Sequence, residues 1–195
     1  MKRKLTGMLF ILLGVAITGA AVYMKLRAEI KQRALVNDFQ KTIEDADKKS
    51  DAASDNASAP AETEIANGAI GIMTIPKISL SAAIGEGVGK ETLSYALGHF
   101  EGTALPGQTG NFCVAGHSSS TYSEYFNRLE ELAAGDDIIV KSKTGEYTYK
   151  IYEKKVVEPT EISVLDSTNA ATVTLITCTP LGSATHRLII KGKLQ

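Results

Sequence analysis

Two cysteines and three histidines carry much of the reactive chemistry available to this chain of 195 residues. Neither cysteine belongs to a Cys-x-x-Cys pair, so the sequence favours neither a dithiol redox centre nor a zinc ribbon. Cys113, His117, Cys178 and His186 also lack the paired spacing that is typical of zinc ligands. In an oxidising exterior, a disulfide between the two cysteines is a structural alternative. The chemical alternative is a nucleophilic thiol that is assisted by an imidazole.

The two cysteines stand in different sequence contexts. Cys113 lies inside the apolar segment 111–116 (NFCVAG), where a buried thiol behaves as a small hydrophobic group. Cys178 closes a strand-like segment and is followed by Thr179 and Pro180, where the proline ends a β-ladder. A residue at the end of a strand lies at the rim of a sheet or barrel. The sequence therefore predicts that Cys178 is the reactive thiol and that Cys113 packs in the core.

An arginine follows the candidate nucleophile at a spacing that suits a hairpin. If the segments on either side of residues 180–185 pair, Cys178 lies opposite Arg187 and the turn is centred at Gly182–Ser183. A fixed cation beside a thiol favours the reactive thiolate. The same guanidinium can hold a substrate carbonyl or a developing oxyanion.

A cysteine nucleophile also needs an acid–base group, for which histidine is the usual choice. His117 ends the segment CVAGH and is therefore expected at a rim. His186 adjoins Arg187, but alternation along a strand directs it to the opposite face. His99 follows a short predicted helix, and a structural role is the default for any single histidine. His117 is the best candidate on geometry.

Six short segments rich in β-branched and aromatic residues are predicted to be strands. They are residues 71–80, 111–116, 136–142, 146–157, 171–178 and 186–194. Pro76 marks an edge or an end within the first segment, and Lys143–Gly145 is typical of a hairpin turn.

Two short helices are predicted between these strands. One covers Glu91–Leu97, and the other opens at the capping box Thr121-x-x-Glu124 and ends at Gly135. The second helix would bury one face, made of Phe126, Leu129, Leu132 and Ala133. At least six strands with two short helices are typical of a mostly-β barrel or sandwich.

The N-terminus carries a candidate membrane anchor. Twenty uncharged residues, 5–24, follow the basic residues 2–4, and at 1.5 Å per residue they span about 30 Å. The alternative is a cleaved signal peptide with small residues at 19–21, although its apolar region is usually shorter. Lys and Arg flank both ends of the segment, so the positive-inside rule does not decide its orientation.

The chain between the anchor and the strands is polar. Residues 26–49 show a helical pattern and are predicted to form a solvated stem without a packing partner. Residues 50–68 are small, polar and acidic, which predicts a flexible linker. The predicted divisions are therefore a tip (1–4), a transmembrane anchor (5–24), a stem with linker (25–68) and a folded domain (69–195).

The charge balance excludes one class of partner. The chain has 21 Lys and Arg against 22 Asp and Glu, a formal net charge of −1. A nucleic-acid-binding protein would carry a basic surface, so no nucleic-acid partner is predicted.

Three separated motifs resemble those of one enzyme family. Thr174–Cys178 (TLITC) matches the TLxTC signature of sortases, the membrane-anchored cysteine transpeptidases of Gram-positive bacteria. Gly107, Gly110–Asn111 and Ala115–His117 match the PGxxGN and AGH motifs, and Arg187 matches the family arginine. Phe126–Leu129 and Gly135–Asp136 are also similar to the family pattern. The resemblance covers about residues 70–194 in the family's order.

This resemblance implies a closed eight-stranded β-barrel with one or two short helices, preceded by an N-terminal transmembrane helix. It places the N-terminus inside the cell and the catalytic domain outside. Cys178 would attack the Thr–Gly carbonyl of an LPxTG-like C-terminal sorting signal on a secreted protein. His117 would protonate the leaving amine and then deprotonate an amine of the peptidoglycan precursor or of a pilin. Arg187, with the backbone near Thr177 and Thr179, would orient the signal and stabilise the oxyanion.

The loop that precedes the catalytic strand is expected to contribute to signal binding. Ile162, Val164 and Leu165 are the candidates to line it, with plain core packing as the alternative. The resemblance implies no metal or organic cofactor. Some family members bind calcium through loop carboxylates, and no such site is identified in this sequence.

Two alternatives to wall anchoring stay open. Thr179–Arg187 is similar to the matching segment of pilin-polymerising sortases, whereas the linker lacks the Asp-Pro-aromatic lid motif of that class. Anchoring of surface proteins is therefore expected, with pilin polymerisation as the alternative. A catalytically inactive, membrane-anchored β-module is the alternative outside the enzymes.

Overall fold

A computed structural model describes residues 2–50, 69–118 and 125–195 of the chain. Within these residues the helices and strands are, in chain order, α1 (Lys2–Ser50), β1 (Gly71–Ile75), β2 (Leu80–Glu86), α2 (Lys90–Leu93), β3 (Leu97–His99), β4 (Gly110–Ala115), β5 (Asp137–Ser142), β6 (Gly145–Val157), β7 (Ala171–Thr179) and β8 (His186–Leu194). The strands close into a barrel in the order β1-β2-β3-β4-β7-β8-β6-β5. The predicted closed eight-stranded barrel is confirmed.

The barrel combines antiparallel hairpins with two parallel pairs, β2–β3 and β4–β7. The alternative that Pro76 ends a strand is confirmed, since β1 stops at Ile75 and only the last residue of the segment 71–80 belongs to β2, which pairs back onto β1 from Ile75↔Leu80 onward. The reason is Pro76, which lacks an N–H for the ladder and opens the 3-10 turn Pro76–Ile78. The predicted hairpin turn at Lys143–Gly145 is confirmed, since Ser142 pairs with Gly145.

The barrel interior is filled by apolar side chains that alternate along the strands. The largest fully buried side chains include Tyr149, Phe112, Phe126 and Met73. The Tyr149 hydroxyl accepts the Gly107 N–H at 2.7 Å, which ties the loop before β4 to the core. Gly107 has a φ of +81°, and an added Cβ would overlap the ring of Tyr147.

The N-terminal apolar segment is part of one continuous helix. α1 contains a stretch within Ile11–Lys41 that is long and apolar enough to cross a membrane. That stretch makes α1 a candidate membrane anchor. The finer division into a span of residues 5–24 and a stem stays a prediction.

The prediction that the stem is solvated without a partner is wrong. Phe39 is only 3% exposed, and it packs against Ala69, Ile72 and Ala83 on the outside of the barrel. Burying a side chain of this size stabilises a contact by about 1.5–3 kcal/mol. In the sequence, acidic and basic residues lie around Phe39, so the helical pattern did not reveal that this side chain has packing partners.

The helix predicted from Thr121 to Gly135 is not formed in the part of it that the structure describes. Its predicted start lies outside the described residues, and residues 125–134 contain only the 3-10 turn Leu129–Glu131. The Lys154 ammonium donates to the carbonyl oxygens of Glu130 (3.0 Å) and Leu132 (2.9 Å). These bonds satisfy carbonyls that a helix would otherwise pair. Phe126, Leu129 and Leu132 are nevertheless buried as predicted, whereas Ala133 is exposed.

The other predicted helix is shorter than expected. α2 ends at Leu93, and Leu97, its predicted last residue, begins β3. The predicted linker lies outside the described residues except for Ser50, which ends α1.

Candidate active site

Three neighbouring strands meet at one edge of the barrel, where β4 and β7 end and β8 begins. β4 and β7 are parallel, with Ala115 paired to Ile176. The Gly116 N–H continues this ladder by donating to the Ile176 carbonyl at 3.2 Å. His117 follows the end of β4 by two residues and Cys178 lies two residues beyond Ile176 on β7, so the register directs them to neighbouring positions at this edge. Adjacent strands lie about 4.8 Å apart, which is within reach of an imidazole and a thiol.

On the other side of the nucleophile lies the hairpin between β7 and β8. Cys178 pairs directly with Arg187, which confirms the predicted register. The Arg187 Nη1 donates to the carbonyl oxygens of Ala184 (3.1 Å) and His186 (2.9 Å). Among the described residues no partner occupies the Nε or Nη2 of this guanidinium. Those N–H groups stay available to a bound carbonyl or oxyanion.

The main chain around His117 is held from both sides. The Thr177 hydroxyl donates to the Gly116 carbonyl at 2.8 Å, and the Phe126 N–H donates to the His117 carbonyl at 3.0 Å. A Cβ on Gly116 would come within 2.7 Å of the Phe126 ring. Glycine at this position therefore lets the buried Phe126 pack directly against the strand end that carries the histidine.

The other two histidines are engaged elsewhere. His99 is 2% exposed, with its ring nitrogens 2.9 Å from the Glu86 carboxylate and 3.1 Å from the Ala104 carbonyl oxygen. His186 lies 3.2 Å from the Glu158 carboxylate. His117 is the histidine in register with Cys178, in agreement with the choice made from sequence.

The two threonines that flank Cys178 differ in accessibility. Thr177 is 3% exposed, and its hydroxyl is bound to the Gly116 carbonyl. Any contact between Thr177 and a substrate would therefore come from its backbone. Thr179 is half-buried and pairs with His186 at the start of the hairpin turn.

An apolar surface lies beside the thiol. Val164 packs against Ile176 and Ile189, with Leu165 at the edge of the same cluster. Because side chains alternate along a strand, Cys178 shares the face of Ile176 and Arg187 shares that of Ile189. The cluster also includes Phe100 and Val157. Val164 is 6% exposed and packs in this cluster, whereas Ile162, in the same 3-10 turn but outside the cluster, is 76% exposed.

Sequence reasoning missed Asn111 as a residue that shapes this surface. Asn111 is 2% exposed, and its Nδ2 donates to the carbonyl oxygens of Val164 (3.0 Å) and Asp166 (3.1 Å). Its Oδ1 accepts from the Thr174 hydroxyl at 2.7 Å. Asn111 thereby fixes the 3-10 turn Ile162–Leu165 onto β4. The sequence signals were the match of Gly110–Asn111 to the family motif and an amide in an apolar strand, which requires partners somewhere in the fold.

Cys113 plays no part in this arrangement. It is fully buried, pairs with Thr174, and both cysteines are free thiols. Four residues of strand separate that pair from Cys178, about 13 Å, beyond the roughly 7 Å between Cα atoms that a disulfide tolerates. The predicted packing role of Cys113 is confirmed.

We expect iodoacetamide at pH 8 to modify Cys178 and to leave Cys113 unmodified in the folded protein. Burial raises the pKa of Cys113 to about 12. At pH 8 only about one Cys113 in 10⁴ would be a thiolate, and this fraction grows tenfold with each unit of pH. Peptide mass spectrometry measures both sites, and the denatured chain is the control in which both react. Equal rates at the two sites in the folded chain would contradict this assignment.

The arrangement supports one kind of chemistry. A half-exposed thiol stands between an imidazole and a guanidinium at the rim of the barrel, next to an apolar surface. Such a set can form a covalent acyl-enzyme and pass the acyl group to a second nucleophile. In such a set an imidazole can supply and remove protons, and a guanidinium can stabilise an oxyanion.

Comparisons with known proteins point to the same chemistry. The family model described as Sortase domain matches residues 73–195, which include all three of these side chains. Sortase D of Bacillus subtilis is 33% identical over 147 residues, covering 73% of this chain and 71% of that protein. Sortase SrtE1 of Streptomyces coelicolor is 30% identical, covering 96% of this chain and 56% of that protein. This chain thus spans about half the length of the second relative.

Solved structures agree with the barrel topology. The sortase D5 transpeptidase of Clostridium perfringens has a TM-score of 0.66 at 29% identity, covering 89% of this chain and 99% of that chain. A lid mutant of sortase A from Corynebacterium diphtheriae has a TM-score of 0.62 at 31% identity, covering 65% of this chain and 70% of that chain.

Proposed function

The chain belongs to the sortase family of cysteine transpeptidases, and from this premise we propose that it anchors surface proteins to the cell wall. It cleaves an LPxTG-like C-terminal sorting signal and transfers the new carboxyl end to an amine of the peptidoglycan precursor. The observation that carries this proposal is the strand register, in which Cys178 lies between His117 and Arg187.

The first half-reaction breaks the Thr–Gly amide of the signal. The Cys178 sulfur attacks the carbonyl carbon, and the electron pair moves onto the oxygen. The free N–H groups of Arg187, together with the backbone near Thr177 and Thr179, stabilise that oxyanion. His117 donates its proton to the departing amine, and the product is a thioester on Cys178.

The second half-reaction reverses these proton movements. The neutral His117 takes a proton from the incoming amine as that amine attacks the thioester carbonyl. The thiolate of Cys178 leaves, and a new amide joins the surface protein to the acceptor. One difficult amide exchange is thereby divided into two easier acyl transfers.

The signal is recognised on the apolar surface beside the thiol. The exposed edge of the Val164 and Leu165 cluster accepts an aliphatic side chain of the signal, and Asn111 keeps the turn in place. Apolar burial of one such side chain contributes about 1.5–3 kcal/mol to binding.

The location of the substrates requires a membrane-bound enzyme. α1 serves as a single-pass anchor with the N-terminus inside the cell, so the barrel meets secreted proteins and the lipid-linked wall precursor at the outer surface. No nucleic acid takes part, which agrees with the net charge of −1.

The full chain in lipid nanodiscs tests this function with a fluorogenic LPxTG-like peptide and a choice of amines. We expect cleavage to give a covalent peptide–amine product with a diaminopimelate or oligoglycine acceptor. Transfer to a pilin-like lysine peptide alone would favour pilin polymerisation. Cleavage with water as the sole acceptor, or no cleavage of any sorting peptide, would overturn the proposal.

A further inference from the structure

The helical stem contacts the segment that leads away from His117. The side chain of Gln32 on α1 is joined to the hydroxyl of Tyr125 by a short hydrogen bond. Tyr125 is the first described residue after His117 and Ser118. The stem therefore contacts the segment that begins at Tyr125 and bonds to the candidate acid–base residue, in addition to its contact through Phe39.

The orientation of the Gln32 amide follows from its partners. Its Nε2 lies 3.4 Å from the Ser81 carbonyl oxygen, which can only accept. The Oε1 must then face Tyr125 and accept from its hydroxyl. The Tyr95 carbonyl oxygen lies 2.9 Å from the same hydroxyl, whose single proton is therefore shared between two acceptors. Burial, with a smaller contribution from Glu29, raises the pKa of Tyr125 to about 12, so the hydroxyl stays a donor at physiological pH.

The acceptor on the barrel side is itself held by the stem. The Lys31 ammonium lies 4.7 Å from the centre of the Tyr95 ring and 3.6 Å from the Glu91 carboxylate. Adjacent stem residues thus bind the Tyr95 segment and the Tyr125 hydroxyl together. Cation–π contacts of this kind contribute modestly when exposed.

The connection from Tyr125 to His117 is short. Phe126, the next residue, donates its N–H to the His117 carbonyl at 3.0 Å, and its buried ring lies over Gly116. A displacement of Tyr125 would therefore move the adjacent Phe126. Its N–H and ring contact the His117 carbonyl and Gly116, and these contacts set the position of the histidine. Small displacements matter because a misplacement of about 1 Å at a reacting group can cost about 100-fold in rate.

We propose that Gln32 and Tyr125 are positioning residues, through which the helical stem holds His117 in register with Cys178. The membrane anchor then contributes to catalysis as well as to location. This inference rests on the proposed role of His117 as the acid–base group.

The test uses the full chain in detergent micelles, with Gln32→Ala as the variant and Gln40→Ala as the matched control. Gln40 is an exposed glutamine on the same helix, outside the contacts described above. We expect Gln32→Ala to lower kcat about five- to twentyfold with little change in KM. The pH profile of kcat should also change, because a displaced imidazole no longer exchanges protons with the thiol in the wild-type geometry. Gln40→Ala should match the wild type in both.

A second readout needs no substrate. In the chain labelled with ¹³C-histidine, the His117 ring signal, assigned with His117→Gln, should shift and broaden in Gln32→Ala and in Tyr125→Phe. The signals of His99 and His186 should stay in place. This readout separates the positioning proposal from the proposed function. It reports whether Gln32 and Tyr125 position His117 even if the wild type transfers no peptide.

Two further variants distinguish positioning from simple docking of the stem. Gln32→Glu keeps an acceptor oxygen for Tyr125 and should restore most of the activity. The effects of Gln32→Ala and Tyr125→Phe should not add in the double variant, since each breaks the same bond. Wild-type kcat and an unmoved His117 signal in both single variants would overturn the proposal. A loss of thermal stability with those two readouts unchanged would overturn it as well.

Discussion

Cys178→Ala is expected to lower cleavage of an LPxTG-like peptide by about 10⁴-fold or more. The substitution removes the sulfur that we propose forms the thioester, and losses of this order follow the removal of a nucleophile from a catalytic set. Cys178 is half-buried at the strand end, so the smaller side chain should leave the barrel intact. Release of the fluorescent leaving group measures the rate, and mass spectrometry of a quenched reaction detects the acyl-enzyme in the wild type alone.

Cys113→Ala is the matched control for this variant. It removes a thiol of the same type that is fully buried and outside the site, so it tests for nonspecific effects of losing a cysteine. We expect a cost of about 1 kcal/mol in unfolding free energy for the small cavity. The kcat per folded molecule should stay close to that of the wild type. Comparable activity in Cys178→Ala and Cys113→Ala would refute the assignment of the nucleophile.

The arrangement of Cys178 and Arg187 could be predicted from the sequence because a hairpin fixes its own register. Nine positions separate the two residues, and a turn centred at Gly182–Ser183 leaves one symmetrical pairing, which the structure adopts. The role of His117 was harder to derive, since the β4–β7 pair is parallel and its strands are far apart in the chain. In that case the rim position of CVAGH, the arguments against the other two histidines and the AGH motif of the family resemblance pointed to His117.

The strand count illustrates where periodicity fails. The pattern alone gave six strands, and the number eight came from the family resemblance. β3 has three residues, too few for alternation to be visible. β2 contains the small residues Ala82, Ala83 and Gly85, and five of its seven residues are buried, so it lacks both bulk and a polar face.

The stem and the segment around Phe126 were mispredicted because tertiary contacts decide their structure. The helical spacing of Phe126, Leu129 and Leu132 also fits an irregular segment that buries the same side chains. Lys154, from a strand distant in sequence, supplies the bonds that stabilise that irregular form. Likewise, Phe39 finds its partners on β1 and β2, which no local pattern in the stem reveals.

The function of Asn111 lies beyond sequence reasoning for a similar reason. Its amide reaches the carbonyls of Val164 and Asp166, more than fifty positions away. A single sequence shows a polar residue in an apolar strand but does not say which loop it holds. The shape of the proposed signal-binding surface is therefore a property of the folded barrel.

Arg187→Ala is expected to lower kcat/KM by about 10²–10³-fold, the usual cost of losing an oxyanion donor. Arg187→Lys keeps the positive charge but loses the planar fork, in which Nη1 holds both turn carbonyls while Nε and Nη2 are left for a substrate. We therefore expect Arg187→Lys to stay at least about tenfold below the wild type. Lys193→Ala, an exposed cation further along β8, is the matched control and should be fully active.

The iodoacetamide reaction separates the two roles open to this guanidinium. If Arg187 acts mainly on the oxyanion, Cys178 in Arg187→Ala should be alkylated at nearly the wild-type rate across pH 6–9 while transfer collapses. If Arg187 mainly favours the thiolate, alkylation and transfer should fall together, since both depend on the thiolate fraction. The N–H groups on Nε and Nη2, which have no partner among the described residues, favour the first outcome. A wild-type rate of transfer in Arg187→Lys would show that a positive charge alone suffices. That result would contradict a role for the planar guanidinium fork.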